Sequence, residues 1–461
     1  MQLTEKYPVA VLGAGPIGLA MAAQLLEQGL HPVIFEAGTA VGASFRNFSH
    51  VRLFSPWRYN VDGAARKLLE AKGWKMPDEE AIPTAGELLQ HYLEPLAALP
   101  AIADRLQLDS RVIAVARKGI DKVKTVGRDQ VPFVIRVESQ GITRDFLAGA
   151  VIDATGNWTQ PNPIGANGLP ALGEEQLAHR ISYGMPDIKG KLRSRYLGKS
   201  TLVVGGGHSA AGSLLALADL AEVDRNTHIH WALRSGSPAR VFGGGEADQL
   251  PARGELGIRL KALVEQGRLT LHTHFRIREL KEAQGTITVL PEEGGDGASP
   301  VFGIDEIVCA TGSRPNLDML RELRIRTDAW LESTEALAPL IDPNLHSCGT
   351  VRPHGHRELA HPEPGFYIIG AKSYGRAPTF LLATGHEQAR SVAAALAGDI
   401  AAADDVRLEL PETGVCSTDF GSEGGCCGET SNKIEAVEES PSAPSCGCST
   451  EPSRSASACC A

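Results

Sequence analysis

Two glycine-rich turns about 190 residues apart predict an α/β protein with two Rossmann-like dinucleotide-binding domains. Each turn follows a short apolar run and precedes a helical pattern, as in a strand–turn–helix unit. The third observation is a change of composition after Asp405, where serine, glycine, proline and glutamate dominate. Such a segment buries too little apolar surface to order its backbone, so residues 408–461 are predicted to form a disordered cysteine-rich tail.

The overall composition is that of a globular protein with two or three structural units. The chain has 461 residues, of which 43% are hydrophobic and 22% charged. Its net charge of -10 disfavours nucleic acid as a main partner, because phosphate binding needs a basic surface. No apolar run reaches the roughly 18 residues of a membrane span, and the N-terminus shows no signal-peptide pattern. We therefore expect a cytoplasmic location and no membrane partner.

The first turn opens the chain's first predicted domain. A strand is predicted at Val9–Leu12, a helix at Ile17–Glu27 and a second strand at Pro32–Glu36. Glycines here permit a tight turn, approach of the backbone to a pyrophosphate, and packing of helix on strand. Glu36 ends the second strand, at a distance that suits hydrogen bonding to adenosine ribose hydroxyls. The predicted dinucleotide-binding residues of this unit are Gly13, Gly15, Pro16, Ile17, Gly18 and Glu36.

The middle of the chain contains an amphipathic stretch and then strands. Ala85–Leu93 has a helical pattern that stops before Pro95. Residues 111–155 are predicted to form short antiparallel strands that end in a buried one, Ala150–Ala154.

The second turn repeats the arrangement of the first. A strand at Thr201–Val204 precedes it, a helix at Ser209–Leu220 follows it, and the next strand, His228–Leu233, ends at Arg234. A guanidinium at that position can pair with a 2′-phosphate, whereas an acid would repel it, so this unit is predicted to bind NADPH rather than NADH. The predicted contacts are Gly205, Gly207, His208, Ser209, Ala210 and Arg234.

Two further strings run from a buried strand into Ala-Thr-Gly. They are residues 151–156 and 307–312, and their small residues allow the chain to cross close to a bound dinucleotide. The predicted contacts are Thr155, Gly156, Thr311 and Gly312. A strand at Phe366–Ile369 and a helix near Phe380–Leu396 complete the fold. The predicted domains are residues 1–160 (first dinucleotide-binding domain, first part), 161–310 (NADPH-binding), 311–407 (first dinucleotide-binding domain, second part) and 408–461 (tail).

These strings together resemble the two-dinucleotide-binding flavoproteins and, among them, the flavin-containing monooxygenases. The resemblance covers about residues 7–400 and includes the string Tyr196–Gly205 and the His-x-x-x-Tyr half of a fingerprint at His179 and Tyr183. It implies that FAD binds at the first turn, with a third contact at Gly370, and that NADPH reduces it. It further implies a small-molecule substrate and O2 as partners, with Arg46, Asn60 and His208 as candidates for the flavin environment.

Cysteines are missing where flavoprotein disulfide reductases of this kind need them. Residues 40–60 contain none, and neither do residues 195–300. Because no dithiol adjoins the predicted flavin, oxygen is the expected electron acceptor.

Seven of the nine cysteines are concentrated in the tail, which indicates metal, metalloid or redox chemistry rather than a disulfide framework. Thiolates are soft ligands, and trivalent arsenic or antimony accepts several of them. The tail resembles metalloid-binding tails, and some flavin monooxygenases serve arsenic resistance by oxidising trivalent arsenicals or antimonite. The candidate metalloid ligands are Cys416, Cys426, Cys427, Cys446, Cys448, Cys459 and Cys460.

Three other hypotheses remain open at this point. The chain could be an NADPH-dependent flavoprotein reductase of metals or disulfides, with the tail as a shuttle. It could be a metalloid-binding or redox-sensing protein with regulatory nucleotide folds. It could also be an amine or sulfide monooxygenase whose tail has no part in the reaction.

Overall fold

The computed structural model describes residues 3–243, 251–293, 298–345, 351–378 and 380–408. Its helices are α1 (Leu3–Lys6), α2 (Pro16–Glu27), α3 (Ala43–Asn47), α4 (Trp57–Asn60), α5 (Gly63–Glu70), α6 (Ala85–Leu88), α7 (Glu94–Ala97), α8 (Pro100–Ala103), α9 (Arg193–Tyr196), α10 (His208–Val223), α11 (Pro251–Glu265), α12 (Ala338–Ile341), α13 (Leu382–Ala397) and α14 (Ile400–Asp404). Its strands are β1 (Val9–Leu12), β2 (Pro32–Phe35), β3 (Leu106–Gln107), β4 (Arg111–Arg117), β5 (Phe133–Ser139), β6 (Ile142–Ala148), β7 (Ala150–Asp153), β8 (Ile181–Tyr183), β9 (Ser200–Val204), β10 (His228–Ala232), β11 (Thr270–His272), β12 (Ile277–Ala283), β13 (Thr286–Pro291), β14 (Val301–Ile304), β15 (Glu306–Cys309) and β16 (Phe366–Ile368). No helix in these described ranges is long and apolar enough to cross a membrane.

The first of two parallel sheets has the strand order β16-β7-β1-β2-β3. β1 and β7 are buried along their whole length, which explains why both are continuous apolar runs rather than alternating ones. The order reverses at β1, because β2 lies on one side of it and β7 on the other. A crevice outside the carboxyl ends of the strands at such a reversal is where open α/β sheets bind ligands.

The second parallel sheet repeats this design with the order β11-β10-β9-β15-β8. Here β9 pairs with β10 on one side and with β15 on the other, so the reversal falls at β9. All described strands of both large sheets are parallel. The predicted pair of dinucleotide folds is thus present in backbone topology.

Each parallel sheet is covered by helices on one face and by a three-stranded antiparallel sheet on the other. Helix α2 packs on α13 and α5 beside the first sheet, and α10 packs on α11 beside the second. The antiparallel sheet β4-β5-β6 contributes Val115 and Phe133 to a core shared with Leu12 and Phe366. The sheet β12-β13-β14 shares a second core with β9 and β15.

The predicted elements agree with the structure to within one to three residues at most ends, but the stretch before Pro95 does not stop there. A π-helical segment, Leu89–Leu93, joins α6 to α7, and the helical path continues to Ala97. Pro95 has no N–H to donate to the preceding turn, and the helical path is irregular, with a π-helical segment, just before it. Thr84 and Glu87 form a capping box that starts this helix.

Asp62 is a buried carboxyl group that caps α5. Its Oδ1 accepts a hydrogen bond from Ala65 N at 2.9 Å and its Oδ2 accepts one from Gln24 Nε2 at 2.7 Å. The residue is only 2% exposed, and burial raises the pKa of Asp62 to about 6 from 3.8, although these hydrogen bonds lower it.

We expect Asp62→Asn to remove a pH dependence of stability. A raised carboxyl pKa means that the folded state holds a proton that the unfolded state has lost, so the free energy of unfolding falls as pH rises from about 4 to 6. The effect at neutral pH is at most about 3 kcal/mol. Thermal unfolding of the wild type and Asp62→Asn at pH about 5 and about 8 measures it. Parallel pH dependence in the two proteins would contradict this assignment.

Candidate cofactor and substrate cleft

The first glycine turn is packed so closely that side chains are excluded at two positions. A Cβ on Gly18 would lie 1.9 Å from the carbonyl oxygen of Gly13, and one on Gly13 would lie 2.9 Å from Ala154 O. Gly13 also has a φ of +96°, which disfavours L side chains. At Gly15, by contrast, a Cβ would meet no atom within 4 Å. The turn therefore presses α2 against β1 and β7 while its middle glycine faces open space, as a pyrophosphate cradle requires.

Glu36 lies beside this turn at the end of β2. One carboxylate oxygen accepts a hydrogen bond from Ala14 N at 2.7 Å, and the other accepts one from Gly38 N at 2.8 Å. The residue is 8% exposed. Because a carboxylate has about four acceptor positions, Glu36 can hold the turn and still accept hydrogen bonds from a ribose.

The crossing after β7 brings Thr155 and Gly156 next to the same turn. Gly156 has a φ of +68°, and a Cβ there would meet no atom within 4 Å. Asn157 follows, and its Nδ2 donates to the carbonyl of Gly375 at 2.8 Å. Its Oδ1 is buried without a hydrogen-bond partner in the described part of the chain, so it offers an acceptor to a bound molecule.

Lys372 is a functional candidate that sequence reasoning missed. Its Nζ lies 2.6 Å from Asp153 Oδ2 and 3.0 Å from Thr155 Oγ1, and the ion pair is almost fully buried. Lys372 therefore connects the segment that follows β16 to the Thr155–Gly156 segment that follows β7. The available sequence signal is that Ala371 and Lys372 follow Gly370, where related flavoproteins often have an aspartate. The partner of Lys372, Asp153, lies 219 residues earlier in the chain.

Gly370, the predicted third contact, lies against the N-terminal part of α2. Its φ is +72°, and a Cβ there would lie 3.4 Å from Ile17. The backbone N–H of Gly370 donates to Gln388 Oε1 at 2.7 Å. Three separate chain segments therefore meet at the first turn, near Ile17 and Pro16.

The second glycine turn has the same construction. Gly205 has a φ of +134°, and a Cβ there would lie 2.3 Å from Ala310 O. Gly207 precedes α10, and a Cβ at that residue would meet no atom within 4 Å. Ser209 and Ala210 continue the first turn of α10, whose N–H groups favour an anion.

A cleft of about 1140 Å³ extends from this second turn to the side of the first sheet. We call it the shared cleft. Its wall on the side of the first sheet is formed by Phe45, Phe48, His50, Val51, Arg52, Leu53, Phe54, Ser55, Asn60, Arg376, Pro378, Phe380, Leu381 and Leu382. Its other wall includes the second turn, the Ala310–Gly312 crossing, and Arg234, Arg240 and Arg314.

Arg234 lies where the sequence predicts it, at the end of β10 and in the wall of the shared cleft. It is exposed, and its guanidinium donates to the carbonyl of Ala166 at 3.1 Å. Arg240, which also lines the cleft, was not predicted. Two guanidinium groups in this wall suit a phosphate, because arginine pairs with phosphate in a bidentate geometry.

The crossing after β15 contains Thr311 and Gly312. Thr311 Oγ1 donates to the carbonyl of Asn162 at 2.9 Å, and Gly312 has a φ of +83°. Cys309 just before it is buried, and burial raises the pKa of its thiol to about 12. The thiol is therefore protonated at neutral pH and unsuited to disulfide exchange.

The three candidates for the flavin environment have different positions. His208 lines the shared cleft and its ring contacts Phe54, with centroids 5.0 Å apart. Asn60 also lines the cleft, but its side-chain amide is already hydrogen-bonded to Ser55. Its Oδ1 accepts from Ser55 Oγ at 2.7 Å, and its Nδ2 donates to Ser55 O at 2.7 Å. Arg46 does not line the cleft; it pairs with Glu94 at 2.7 Å on the surface. Asn60 thus organises its own loop, and Arg46 is held by Glu94; that these residues adjoin the flavin stays a prediction.

The partial fingerprint at His179 and Tyr183 forms a structural contact rather than part of the cleft. Tyr183 donates its hydroxyl hydrogen to Glu174 at 2.5 Å, and burial together with this carboxylate raises the pKa of Tyr183. Glu174 also accepts hydrogen bonds from Ile164 N and Ala171 N. His179 is exposed. These contacts hold the loop that leads into the second sheet.

The predicted metalloid ligands, Cys416, Cys426, Cys427, Cys446, Cys448, Cys459 and Cys460, lie outside the described residues. Within the described ranges, no group of three or more His, Cys, Asp or Glu side chains could hold a metal ion.

Known families and structures are similar to this chain over most of its described part. A model of the pyridine nucleotide-disulphide oxidoreductase family matches residues 10–349. A flavin-containing monooxygenase of Arabidopsis thaliana, FMO GS-OX-like 5, is 25% identical over 262 residues, which is 52% of this chain and 53% of that protein. The chain thus spans about half the length of the relatives that it matches.

Solved structures share the fold. Bacillithiol disulfide reductase Bdr (YpdA) from Bacillus cereus superposes with a TM-score of 0.63 at 17% identity, over 85% of this chain and 99% of that one. The FAD-bound cadaverine monooxygenase DfoA from Erwinia amylovora superposes with a TM-score of 0.58 at 15% identity, over 90% of this chain and 99% of that one.

Proposed function

The chain belongs to the pyridine nucleotide-disulphide oxidoreductase family, and we propose that it is an NADPH-consuming, FAD-dependent monooxygenase of a soft nucleophilic substrate. As a member of that family with flavin-containing monooxygenase relatives, it is a flavin-dependent oxidoreductase with FAD and NADPH as cofactors. Residues 1–160 and 311–407 form its FAD-binding domain in this proposal, and residues 161–310 form its NADPH-binding domain.

The observation that carries the proposal is the absence of a usable thiol among the described residues of the shared cleft. The described residues contain one cysteine, Cys309, and its thiol is buried and protonated. A disulfide reductase needs a thiolate beside the flavin to pass electrons on. With no such group in the described lining of the cleft, O2 is the acceptor that fits.

When bound, FAD supplies hydride acceptance from NADPH and electron transfer to O2, which side chains cannot provide. The protein's part is to bind, orient and exclude water. The first turn, Glu36 and the Thr155–Gly156 crossing would hold FAD. The second turn, which lines the shared cleft, would hold the NADPH pyrophosphate. Phe45, Phe48 and Phe54 line that cleft and keep it apolar.

We propose trivalent arsenicals or antimonite as substrates, with the tail cysteines as ligands that capture them. Trivalent arsenic carries a lone pair and therefore suits an electrophilic oxidant. Cysteine thiolates bind such soft centres, and seven cysteines lie between residues 416 and 460.

The test is made on purified protein. We expect it to be yellow, to be bleached by NADPH in the absence of air, and to transfer oxygen from labelled O2 to its product. NADPH consumption is then compared with and without a trivalent methylarsenical, arsenite or antimonite. Stimulation of NADPH consumption supports the substrate, and no stimulation by any of them removes it.

Equal turnover under nitrogen would instead support the metal or disulfide reductase. Tight metalloid binding without flavin turnover would support the sensing protein. Unchanged sulfide oxidation without residues 408–461 would support a sulfide monooxygenase with an unused tail.

We expect Arg234→Ala to raise the KM for NADPH about 10- to 100-fold and to leave the KM for NADH nearly unchanged. The reason is that a charge-assisted bond to the 2′-phosphate is worth about 1.5–3 kcal/mol, and NADH lacks that group. Arg225→Ala, which removes another exposed arginine outside the cleft, is the control. An unchanged cofactor preference in Arg234→Ala would contradict the assignment.

A further inference from the structure

The first-sheet wall of the shared cleft is largely apolar and aromatic. Phe45, Phe48, Phe54 and Phe380 contribute rings, and aliphatic side chains fill the spaces between them. Two of its polar side chains, Ser55 and Asn60, bond to each other and to their own loop. They are therefore not available to select a substrate.

The cationic groups of this wall are the guanidinium groups of Arg52 and Arg376. Both residues are exposed, and neither forms an ion pair with a described carboxylate. Arg52 donates one N–H to the carbonyl of Ile82 at 3.2 Å, and it lies near enough to the Glu87 carboxylate to interact with it electrostatically, although the two form no ion pair. Most other arginines outside this wall have a carboxylate or several carbonyl partners.

The backbone beneath both arginines is fixed, so their positions in the wall are defined. Arg376 N donates to Leu331 O at 2.7 Å. The preceding Gly375 has a φ of +57° and lies so close to the backbone of residues 331–333 that a Cβ there would be 2.1 Å from Leu331 O. Arg52 forms a bridge with Thr84, the residue that caps α6. A charged group on a fixed backbone loses less entropy on binding a ligand.

No carboxylate lies in the described part of this wall. Among the described residues that line the cleft, the two acidic ones, Asp187 and Asp219, are in the opposite wall. Asp187 accepts hydrogen bonds from Gly190 N and Lys191 N, and Asp219 pairs with Lys189 at 2.7 Å. A substrate ammonium group would find no free counter-ion here, and two guanidinium groups would repel it.

We propose that the shared cleft also takes organic substrates, distinct from the metalloid species proposed above, that carry an anionic group such as a carboxylate on an apolar body beside a soft nucleophilic atom. Arg52 and Arg376 receive the anionic group, and the phenylalanine rings receive the apolar body. This inference rests on the proposed monooxygenase function and separates the chain by substrate class from oxygenases of amines.

NADPH is itself an anion, but its phosphates have other partners. Arg234 and Arg240 lie in the opposite wall, next to the second turn and the N-terminus of α10. The pyrophosphate and the 2′-phosphate of NADPH would bind at that wall. Arg52 and Arg376 in the first-sheet wall would then be available to the substrate.

The experiment compares three probes that share one thioether: para-(methylthio)benzoate, para-(methylthio)toluene and para-(methylthio)benzylamine. Their dissociation constants are measured from perturbation of the flavin spectrum in oxidised holoenzyme with NADP+, and sulfoxide formation is measured in parallel. We expect the benzoate to bind about tenfold or more tightly than the amine. Arg376→Gln and Arg52→Gln should each reduce this preference at an unchanged KM for NADPH.

Arg58→Gln is the matched control, because Arg58 is an exposed arginine on the neighbouring α4 that pairs with Glu80 outside the cleft. It should keep the preference. Equal binding of the three probes, or an Arg376→Gln defect confined to the KM for NADPH, would overturn the anion site. If the benzoate binds selectively but no probe is oxidised, the anion site stands and the claim that such molecules are substrates fails; the monooxygenase itself is tested separately with labelled O2.

Discussion

Purified Gly18→Ala protein is expected to contain little or no FAD. The new methyl group would lie 1.9 Å from the carbonyl oxygen of Gly13, so α2 must move away from the turn that faces the pyrophosphate. Forcing a methyl group into such a contact costs about 1–3 kcal/mol or more. Because the displaced helix N-terminus is the anion site itself, the loss should fall on FAD affinity, by about 10- to 100-fold. The ratio of flavin to protein and reconstitution titrations measure it.

Two other glycines make this prediction specific. Gly63→Ala adds a methyl group that meets no atom within 4 Å, and this protein should keep its FAD. Gly205→Ala would place a Cβ 2.3 Å from Ala310 O at the second turn. That protein should keep FAD but be reduced slowly by NADPH. If Gly18→Ala held FAD as tightly as the wild type, the first turn would not be the pyrophosphate site.

The sequence predicts the fold well where the requirement is local. At Gly18 the atom that excludes a Cβ belongs to Gly13, five residues earlier, so a short stretch of sequence is enough to predict the requirement. The same holds for β1, whose four apolar residues are buried along the whole strand. The repeat of this unit at Gly205 therefore predicted the second parallel sheet.

Side-chain roles that depend on distant partners could not be predicted in this way. The partner of Arg46 is Glu94, which lies 48 residues later in the chain. Lys372 is buried beside Asp153, which ends the neighbouring strand β7 of the same sheet but lies 219 residues earlier in the chain. Arg52 and Arg376 line one wall although more than 300 residues separate them. Nothing in their local sequence distinguishes them from ordinary exposed arginines.

A buried cluster of ion pairs, formed by residues far apart in sequence, attaches the antiparallel sheet β4-β5-β6 to the segment before β16. Glu363 is 1% exposed and accepts hydrogen bonds from Arg117 Nε at 2.8 Å and from Arg128 Nη2 at 2.7 Å. Arg117 also lies over the ring of Phe133, 3.6 Å from its centroid. Arg324 N is a further donor to the same carboxylate, at 3.0 Å.

We expect Glu363→Gln to lower the free energy of unfolding by about 3–5 kcal/mol, because it leaves two buried guanidinium groups without their counter-ion. Glu94→Gln removes the partner of Arg46 in an exposed pair, whose side chains are 42% and 43% exposed, and should change stability by about 1 kcal/mol or less. Thermal and denaturant unfolding at saturating FAD compares the two variants without a difference in cofactor occupancy.

The pH dependence separates loss of charge from loss of packing in this cluster. Burial raises the pKa of Glu363, but the hydrogen bonds from Arg128, Arg324 and Arg117 outweigh burial, so the pKa lies below its usual 4.5. A lowered carboxyl pKa contributes stability that is present above that value and is lost as pH falls through the folded-state pKa. The wild type should therefore lose its advantage over Glu363→Gln as the solution is acidified below pH about 4. A stability difference that stays constant with pH would mean that the side chain acts through packing alone, and the ion cluster would then not be what holds β4-β5-β6 in place.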